Sequence, residues 1–446
     1  MTQGKPVKVL LGFTIPVFIG NVFQQFYNMV DAVVVGKFVG TKALAAVGST
    51  GTIIFLIIGF LLGLTAGFTV LTAQKYGAGK MDEMRQTVGN ALILTALISA
   101  VMTAVSMTGM HALLKFMHTP DDIFKDAYAY VMIICGGIFA QVLYNILASI
   151  LRALGNSKVP LYFLILSAML NIVLDLVFII VFKLGAPGAA WATIISQGVS
   201  GVLCLIYIWK FVPELRMKKE DWYFRRNLAA KQIGVGIPMG LQYSITAIGT
   251  MMVQSALNML GSYAVAAFTA GSKIEQIFTQ AFVAQGTASA TYNAQNIGAG
   301  KHDRARLTLR YVLFMTVGYG IIAATIVQFV SVPFVGLFTN DGAVQILGGQ
   351  YLRSYSWDCV FAGVHFCLSG YFYAYGMSVV SFIHNSISII CARIPLSYYA
   401  ATHFPDTLFP MGCAAPAGSI LSIIICVGVL IWMDKHSEKY MGSKIQ

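Results

Sequence analysis

The chain has 446 residues, of which 57% are hydrophobic and only 10% are charged. A soluble domain carries roughly 25% charged residues, so this composition excludes an ordinary soluble protein and indicates several membrane spans. The formal net charge of +12 would suggest a nucleic-acid partner in a soluble protein, but here the basic residues follow the connectors between apolar segments. We therefore expect a bilayer and no nucleic acid as the surroundings of this chain.

Twelve apolar segments of helical length follow one another along the chain, and each is long enough to cross a bilayer. We therefore expect an all-α integral membrane protein. The segments fall at about residues 9–35, 46–73, 87–112, 127–151, 159–183 and 187–211, and then at about 233–259, 264–292, 307–337, 349–375, 378–401 and 411–433.

The second six segments repeat the first six. The motif A-Q-x-x-G-A-G-K-x-D-x-x-R begins at Ala73 and again at Ala294, and Pro16 recurs as Pro238. Because six is an even number of spans, both copies have the same orientation, which is typical of transporters whose substrate path lies between the repeats. This organisation predicts an amino-terminal lobe at 1–211, a cytoplasmic connector at 212–231, a carboxyl-terminal lobe at 232–434 and a cytoplasmic tail at 435–446.

The basic residues alternate between successive connectors. The connectors on the same side as the amino terminus collect 21 of the 29 Lys and Arg residues, and the opposite side has five. The positive-inside rule then predicts that both termini are cytoplasmic. We expect a multi-pass protein of the cell membrane.

One face of the first span carries Gln24, Tyr27 and Asp31 at helical spacing. A carboxylate inside a bilayer costs about 2.5 to 3.5 kcal/mol on insertion scales and usually marks a functional site. An ion or substrate site is therefore the first interpretation. The alternative is that Asp31, which lies near the end of the span, reaches the outer headgroups.

A second acid is predicted to lie near Asp31. The fifth span holds Asn171 and Asp175 one helical turn apart, and Tyr130 and Thr193 reach a similar depth from the fourth and sixth spans. Oxygen ligands of this kind suit a hard cation or a proton, and Na⁺ would lie at the two acids and the amide. A purely structural hydrogen-bond network between helices is the alternative.

The carboxyl-terminal half does not repeat these acids. At the repeat offset, Met252 and Leu396 replace them. This half has its own charged residues within spans, which include Glu275, Asp358 and Arg393. We expect Arg393 to pair with Asp358 or Glu275, either as a structural bridge or as part of a polar substrate contact.

No pattern predicts a resident cofactor or metal. The seven cysteines have no CxxC spacing, and His365 and His384 are lone imidazoles on apolar spans, where core or cavity-wall roles are expected. The two G-A-G-K pieces lack the spacing of a phosphate-binding loop. Any pumping must therefore use an ion gradient.

The motifs together resemble the multidrug and toxic compound extrusion (MATE) family. The opening I-P-x(14)-D-x(4)-G, the following G-x-x-A-L-A-A-V-G and the A-Q-x-x-G-A-G-K loop carry a resemblance that covers essentially the whole chain. The resemblance implies twelve transmembrane helices in two pseudo-symmetric six-helix lobes. The prokaryotic DinF-like branch is the most similar, and its amino-lobe cation site implies this role for Asp31, Asn171 and Asp175, with Gln24, Tyr27, Tyr130 and Thr193 around them.

Two further positions bear on this resemblance. Pro16 matches a first-helix proline at which the helix bends when the site changes protonation. Thr246 occupies the place of an essential Glu of other branches, eight residues after Pro238, which argues against a carboxyl-lobe site of that kind.

The expected function is secondary active antiport rather than catalysis. Organic compounds, cationic or amphipathic, would leave the cytoplasm in exchange for H⁺ or Na⁺ by alternating access, with substrate held against Phe and Tyr side chains between the lobes of a monomer. A lipid-linked oligosaccharide flippase is one alternative, but it needs a basic stripe and only Lys273 and Arg393 are basic within spans. A membrane-embedded enzyme is the other, and no nucleophile, metal or acid–base motif supports it.

Overall fold

The computed structural model describes residues 1–117 and 119–436, apart from the side chain of Thr41. Nearly all of the predicted tail at 435–446 lies outside these residues. In the described part of the chain, every regular element is a helix. The all-α prediction is confirmed.

Among the described residues of the amino-terminal half there are seven α-helices, where six spans were predicted. The fourth span is two helices that meet at 47° around Gly137, where a Cβ would lie 2.2 Å from Ile194 Cδ1. A glycine therefore allows the neighbouring helix to pack into the bend. The helices are α1 (Pro6–Phe38), α2 (Thr41–Gly77), α3 (Met81–Phe116), α4 (Asp121–Gly136), α5 (Ile138–Ala153), α6 (Lys158–Leu176, continued by a π-helical segment Val177–Val181) and α7 (Ala186–Phe211).

The carboxyl-terminal half, as far as His436, contains nine α-helices, because three of its predicted spans are divided. The tenth span is α11 with α12, the eleventh is α13 and α14 joined by a π-helical segment Ile389–Arg393, and the twelfth is α15 with α16. The helices are α8 (Arg226–Asn258), α9 (Ser262–Gly298), α10 (His302–Gly336), α11 (Gly342–Tyr355), α12 (Asp358–Ala374), α13 (Ser378–Ser388), α14 (Ile394–His403), α15 (Phe409–Gly412) and α16 (Ala414–Lys435).

Length and hydropathy identify most of the predicted spans. Among the described residues, eight helical spans are long and apolar enough to cross a membrane, and the bent α4–α5 pair is a ninth. The other three predicted spans are α8 and α9, which are long but more polar, and the α11–α12 pair, which is divided into helices of 14 and 17 residues.

The sequence repeat is also a repeat of backbone geometry. Turns between helices require a positive φ at glycines that occupy equivalent positions in the two halves, a conformation that glycine adopts without strain. The repeated turns therefore have the same shape. The pairs are Gly40 and Gly261 (φ 120° and 87°), Gly79 and Gly300 (73° and 71°), and Gly155 and Gly376 (90° and 73°).

The helices form two compact units whose boundaries lie within helices. The first unit is Ile19–Ser244, and the second combines Met1–Phe18 with the described residues from Ile245 onward. Helices α1 and α8 thus contribute to both units, and α1 changes unit two residues after Pro16. The predicted lobes at 1–211 and 232–434 stay a prediction, since these units are divided differently.

Each unit is held together by close helix packing. In the first unit, α2 and the beginning of α8 approach so closely that a Cβ on Gly67 would lie 2.5 Å from the Gly236 Cα, as is common where small residues line membrane helix contacts. In the second unit, the first turns of α1 bury Leu10 and Phe13 in a cluster that includes Tyr292 of α9. The beginning of α8 is therefore packed within the first unit, and the beginning of α1 is packed within the second.

Candidate functional site

Asp31 of α1 and Asp175 of α6 lie against each other in the first unit. Asp31 is 9% exposed and Asp175 is fully buried. Their carboxyl groups lie within hydrogen-bonding reach of each other, and a hydrogen bond between them needs a proton on the pair because an ionised carboxylate can only accept. The Oδ1 atom of each acid is buried and has no hydrogen-bond partner among the described residues. The pair can therefore hold a proton, and its oxygens are suitable ligands for a hard cation.

Asn171 connects the acid pair to α7. It is fully buried one turn before Asp175, in the last part of α6 before the π-helical segment. With its amide oriented to satisfy both neighbours, Nδ2 donates to Asp175 Oδ2 at 3.2 Å and Oδ1 accepts from the Thr193 backbone N–H at 3.3 Å. A π-helical turn often accompanies a functional site, and here it begins two residues after Asp175.

Two tyrosines complete the cluster. Tyr27 of α1 is hydrogen-bonded to Thr193, and Tyr130 of α4 lies within electrostatic range of Asp31, Asp175 and Tyr27. Both phenols are buried. Four helices, α1, α4, α6 and α7, therefore bring six of the predicted side chains together. Apolar residues that include Val34, Val35 and Ile179 surround Tyr130.

Gln24 does not join this cluster. Its side chain is exposed and makes no hydrogen bond within the described residues, although it lies on the helical face that sequence spacing assigned to Asp31. Pro16 is buried inside α1, about four turns before Asp31 at 3.6 residues per turn. It lies apart from the acids.

The charged residues of the second unit form a different arrangement. The Tyr351 hydroxyl donates to Glu275 Oε2 at 2.6 Å, and the Tyr355 hydroxyl, which lies 3.2 Å from Thr279 Oγ1, is also near this carboxylate. Arg393 Nη2 lies 3.5 Å from Asp358 Oδ2, and the Asp358 side chain is almost completely buried. Of the two acids expected for Arg393, Asp358 is the one within ion-pair distance.

The two histidines are neighbours, which the sequence did not predict. Their ring centroids are 5.8 Å apart. His384 Nε2 lies 2.9 Å from Ser369 Oγ and its Nδ1 lies 3.2 Å from Ser422 Oγ, while His365 Nδ1 is buried without a partner among the described residues. The description of these residues as lone imidazoles is therefore wrong for both. Within the described part, no group of three or more His, Cys, Asp and Glu side chains could hold a metal ion.

Comparison with known proteins gives consistent matches over nearly the whole chain. The family model described as MatE matches residues 16–177 and 238–399, so each copy of the repeat matches it once and each match begins at a repeated proline. Among curated proteins, "Probable multidrug resistance protein YpnP" of Bacillus subtilis (strain 168) is 30% identical over 398 residues, which are 89% of this chain and 88% of the relative. The "FAD transporter" of Shewanella oneidensis is 24% identical over 437 residues, covering 94% and 93%.

A solved structure has the same fold. The structure described as "Crystal structure of MATE in complex with MaL6" matches with a TM-score of 0.91 and 22% identity, over 98% of each chain. The predicted architecture of twelve helices in two six-helix lobes is confirmed by this likeness.

Proposed function

Because this chain belongs to the MATE family of membrane transporters, we propose that it is an antiporter that exports small organic compounds in exchange for H⁺ or Na⁺. The relatives are transporters rather than enzymes, and the nearly complete coverage extends this class to the whole chain. Alternating access to the two sides of the membrane is part of the proposal. The exported compounds would be cationic or amphipathic, as multidrug substrates are.

The acid pair carries the coupling part of this proposal. Asp31 and Asp175 lie within hydrogen-bonding reach of each other, and the Oδ1 atom of each is buried without a hydrogen-bond partner among the described residues. Removal of a proton held between them would bring two negative charges together at low dielectric, where repulsion is strong. A proton or Na⁺ that enters from outside relieves this repulsion, and Asn171 with Thr193 would orient the ligands.

Pro16 offers a route from the ion site to a change of state. Proline removes one backbone hydrogen bond from α1 and weakens the helix there. The division between the compact units falls two residues later, which supports a hinge at this point. Export driven by the ion then needs only a difference in ion affinity between the two states.

The orientation is part of the same proposal. The excess of basic residues on one side supports cytoplasmic termini, and a monomer in the cell membrane is the simplest arrangement.

The arrangement of basic residues supports antiport over a lipid-linked oligosaccharide flippase. Such a flippase needs unpaired cations along its path for diphosphate groups. Arg393 is already beside Asp358, and Lys273 is the other basic residue that lies away from the ends of the predicted spans. This observation gives the flippase little support.

The test is efflux of a fluorescent organic cation from proteoliposomes under an imposed proton gradient or an imposed sodium gradient. Wild type, Asp31→Asn and Asp175→Asn would be compared with Asp406→Asn, which makes the same change at an exposed acid between α14 and α15. We expect the first two variants to bind substrate but lose driven efflux, and the gradient that drives the wild type identifies the ion. Normal efflux by both variants would show that the acids are structural.

A further inference from the structure

The connector between α7 and α8 exposes three consecutive aromatic side chains. Trp222, Tyr223 and Phe224 are 49%, 67% and 50% exposed, and we call them the aromatic triplet. Exposed basic pairs flank them at 218–219 and 225–226. Three large rings in a row are unusual on a polar connector, so their position needs a physical explanation.

The connector is held firmly just before the aromatic triplet. The buried Asp221 accepts a hydrogen bond from the Lys218 backbone N–H at 2.8 Å and lies 3.4 Å from Arg85 Nε. Its backbone carbonyl lies so close to α3 that a Cβ on Gly89 would be 2.1 Å from the oxygen. This part of the connector is packed against the beginning of α3.

A buried amide network holds the other end. The Arg225 backbone N–H donates to Asn90 Oδ1 at 3.0 Å, and Asn90 Nδ2 donates to Gln232 Oε1 at 2.8 Å. Gln232 Nε2 donates in turn to the backbone carbonyls of Phe68 and Thr87. Since both ends are anchored, the fold itself presents the aromatic triplet outward.

The aromatic triplet lies between the ends of two spans. Helix α7 ends at Phe211, where Trp209 and Phe211 are also largely exposed, and α8 begins at Arg226. Aromatic rings and basic side chains are both enriched at the membrane–water interface, because one part of each prefers the acyl region and the other prefers water. The connector is thus at the depth where its rings can enter the headgroup layer.

The charge of the connector has the sign that anionic lipids attract. Residues 210–231 contain seven basic and three acidic side chains. Lys218 lies 3.6 Å from Asp82, whereas Lys219, Arg225 and Arg226 have no ion pair with any described residue. A basic residue near an anionic membrane surface strengthens attraction by about fivefold.

We propose that the aromatic triplet and its flanking basic pairs form a docking surface for anionic phospholipid headgroups of the cytoplasmic leaflet. The rings enter the headgroup layer, and the basic side chains pair with the lipid phosphates. The assignment to that leaflet rests on the proposed orientation. The surface belongs to the first unit, so lipid bound there would hold the beginning of α8 at the membrane surface.

Tryptophan quenching by brominated lipid tests this surface. The full chain would be placed in nanodiscs of phosphatidylcholine with one-third phosphatidylglycerol, with either lipid brominated near the headgroup. The difference between wild type and Trp222→Phe isolates the signal of Trp222. We expect quenching of this signal to be at least about twofold stronger, per brominated lipid, with phosphatidylglycerol than with phosphatidylcholine, because nearby cations enrich the anionic lipid.

Two controls make the test specific. Combined substitution of Lys219→Gln, Arg225→Gln and Arg226→Gln should reduce the preference to about one while Trp222 stays at the interface. Trp191, near the opposite end of α7, should show no preference when isolated by Trp191→Phe. Quenching of Trp222 by aqueous iodide but by neither lipid, or equal quenching by both lipids, would overturn the proposal. Both leaflets carry the anionic lipid, so the result is independent of transport and orientation.

Discussion

The amino-terminal acid pair and the buried Asp358 of the second unit differ in which positive charge neutralises their carboxylates. Asp31 and Asp175 face each other with an amide, a hydroxyl and phenols nearby, and the described residues place no Lys or Arg in an ion pair with either. Asp358 has Arg393 as its partner. Under the proposed function, the first site takes its cation from solution, whereas Asp358 is neutralised by an arginine of its own chain.

This difference lies within a repeated framework. The turns of the two halves match at their positive-φ glycines, yet Met252 and Leu396 occupy the repeat positions of the two acids. The fold therefore does not by itself create an ion site. Under the proposed function, a few side chains decide which half binds an ion, and substitution of these side chains tests the comparison.

The largest effect is expected at Asp175→Asn. Driven export should fall by about 100-fold or more, because a site that no longer binds its ion provides no difference in affinity between states. Thermal stability should stay the same or rise, since the substitution removes a buried charge. Efflux from proteoliposomes and thermal unfolding in detergent measure the two quantities. A stability loss that accounts for the lost export would argue for a structural acid pair.

The opposite result is expected at Asp358→Asn. This change leaves Arg393 without its carboxylate, which costs about 3 to 5 kcal/mol in a fully buried pair; because Arg393 is 31% exposed, we expect about 1 to 3 kcal/mol. Driven export should remain within about twofold of wild type once the amount of folded protein is matched.

Thermal unfolding of the double variant Asp358→Asn/Arg393→Gln is the matched control, and it should recover most of the lost stability. Loss of coupling by Asp358→Asn at unchanged stability would place the ion site in the second unit instead.

A smaller effect is expected at Thr193→Val, which removes the hydroxyl that meets Tyr27. The loss of one hydrogen bond, about 1 kcal/mol, should weaken the apparent affinity for the coupling ion by about fivefold and leave the maximal rate nearly unchanged. A titration of export against proton or sodium concentration measures this shift. Thr193→Ser, which keeps the hydroxyl, should behave as wild type.

The smallest effect is expected at Gln24→Ala. The side chain is exposed and outside the cluster, so the apparent ion affinity should change by less than about twofold. The same ion titration checks this value. A tenfold loss would show that Gln24 enters the site in another state of the cycle.

Much of the fold and the main acid pair could be predicted from sequence because both depend on local spacing. Span length and the repeat predict the number of spans, and one helical turn between Asn171 and Asp175 puts both on one face. The connectors alternate sides, which gives the depth of each acid. Spacing could not exclude Gln24, because a helical face is wider than the part of it that meets α6 and α7.

Other features depend on contacts between distant segments. The bend at Gly137 arises where Ile194 packs into the space of an absent side chain. The hydrogen bond between Glu275 and Tyr351 joins α9 to α11 across 76 residues. Sequence alone contains both partners in each case but no measure of their distance.

The sharing of α1 and α8 between the compact units has a consequence for biogenesis. When the ribosome has delivered the first six spans to the membrane, the α2 surface around Gly63 and Gly67 still lacks the segment of α8 that covers it. The opening turns of α1 gain their packing partners later still, because Leu10 and Phe13 pack with residues of α9, α10 and α12. Helix α1 is synthesised before all three of these helices, so its opening turns gain their final neighbours late, and insertion of α8 is the step that comes between.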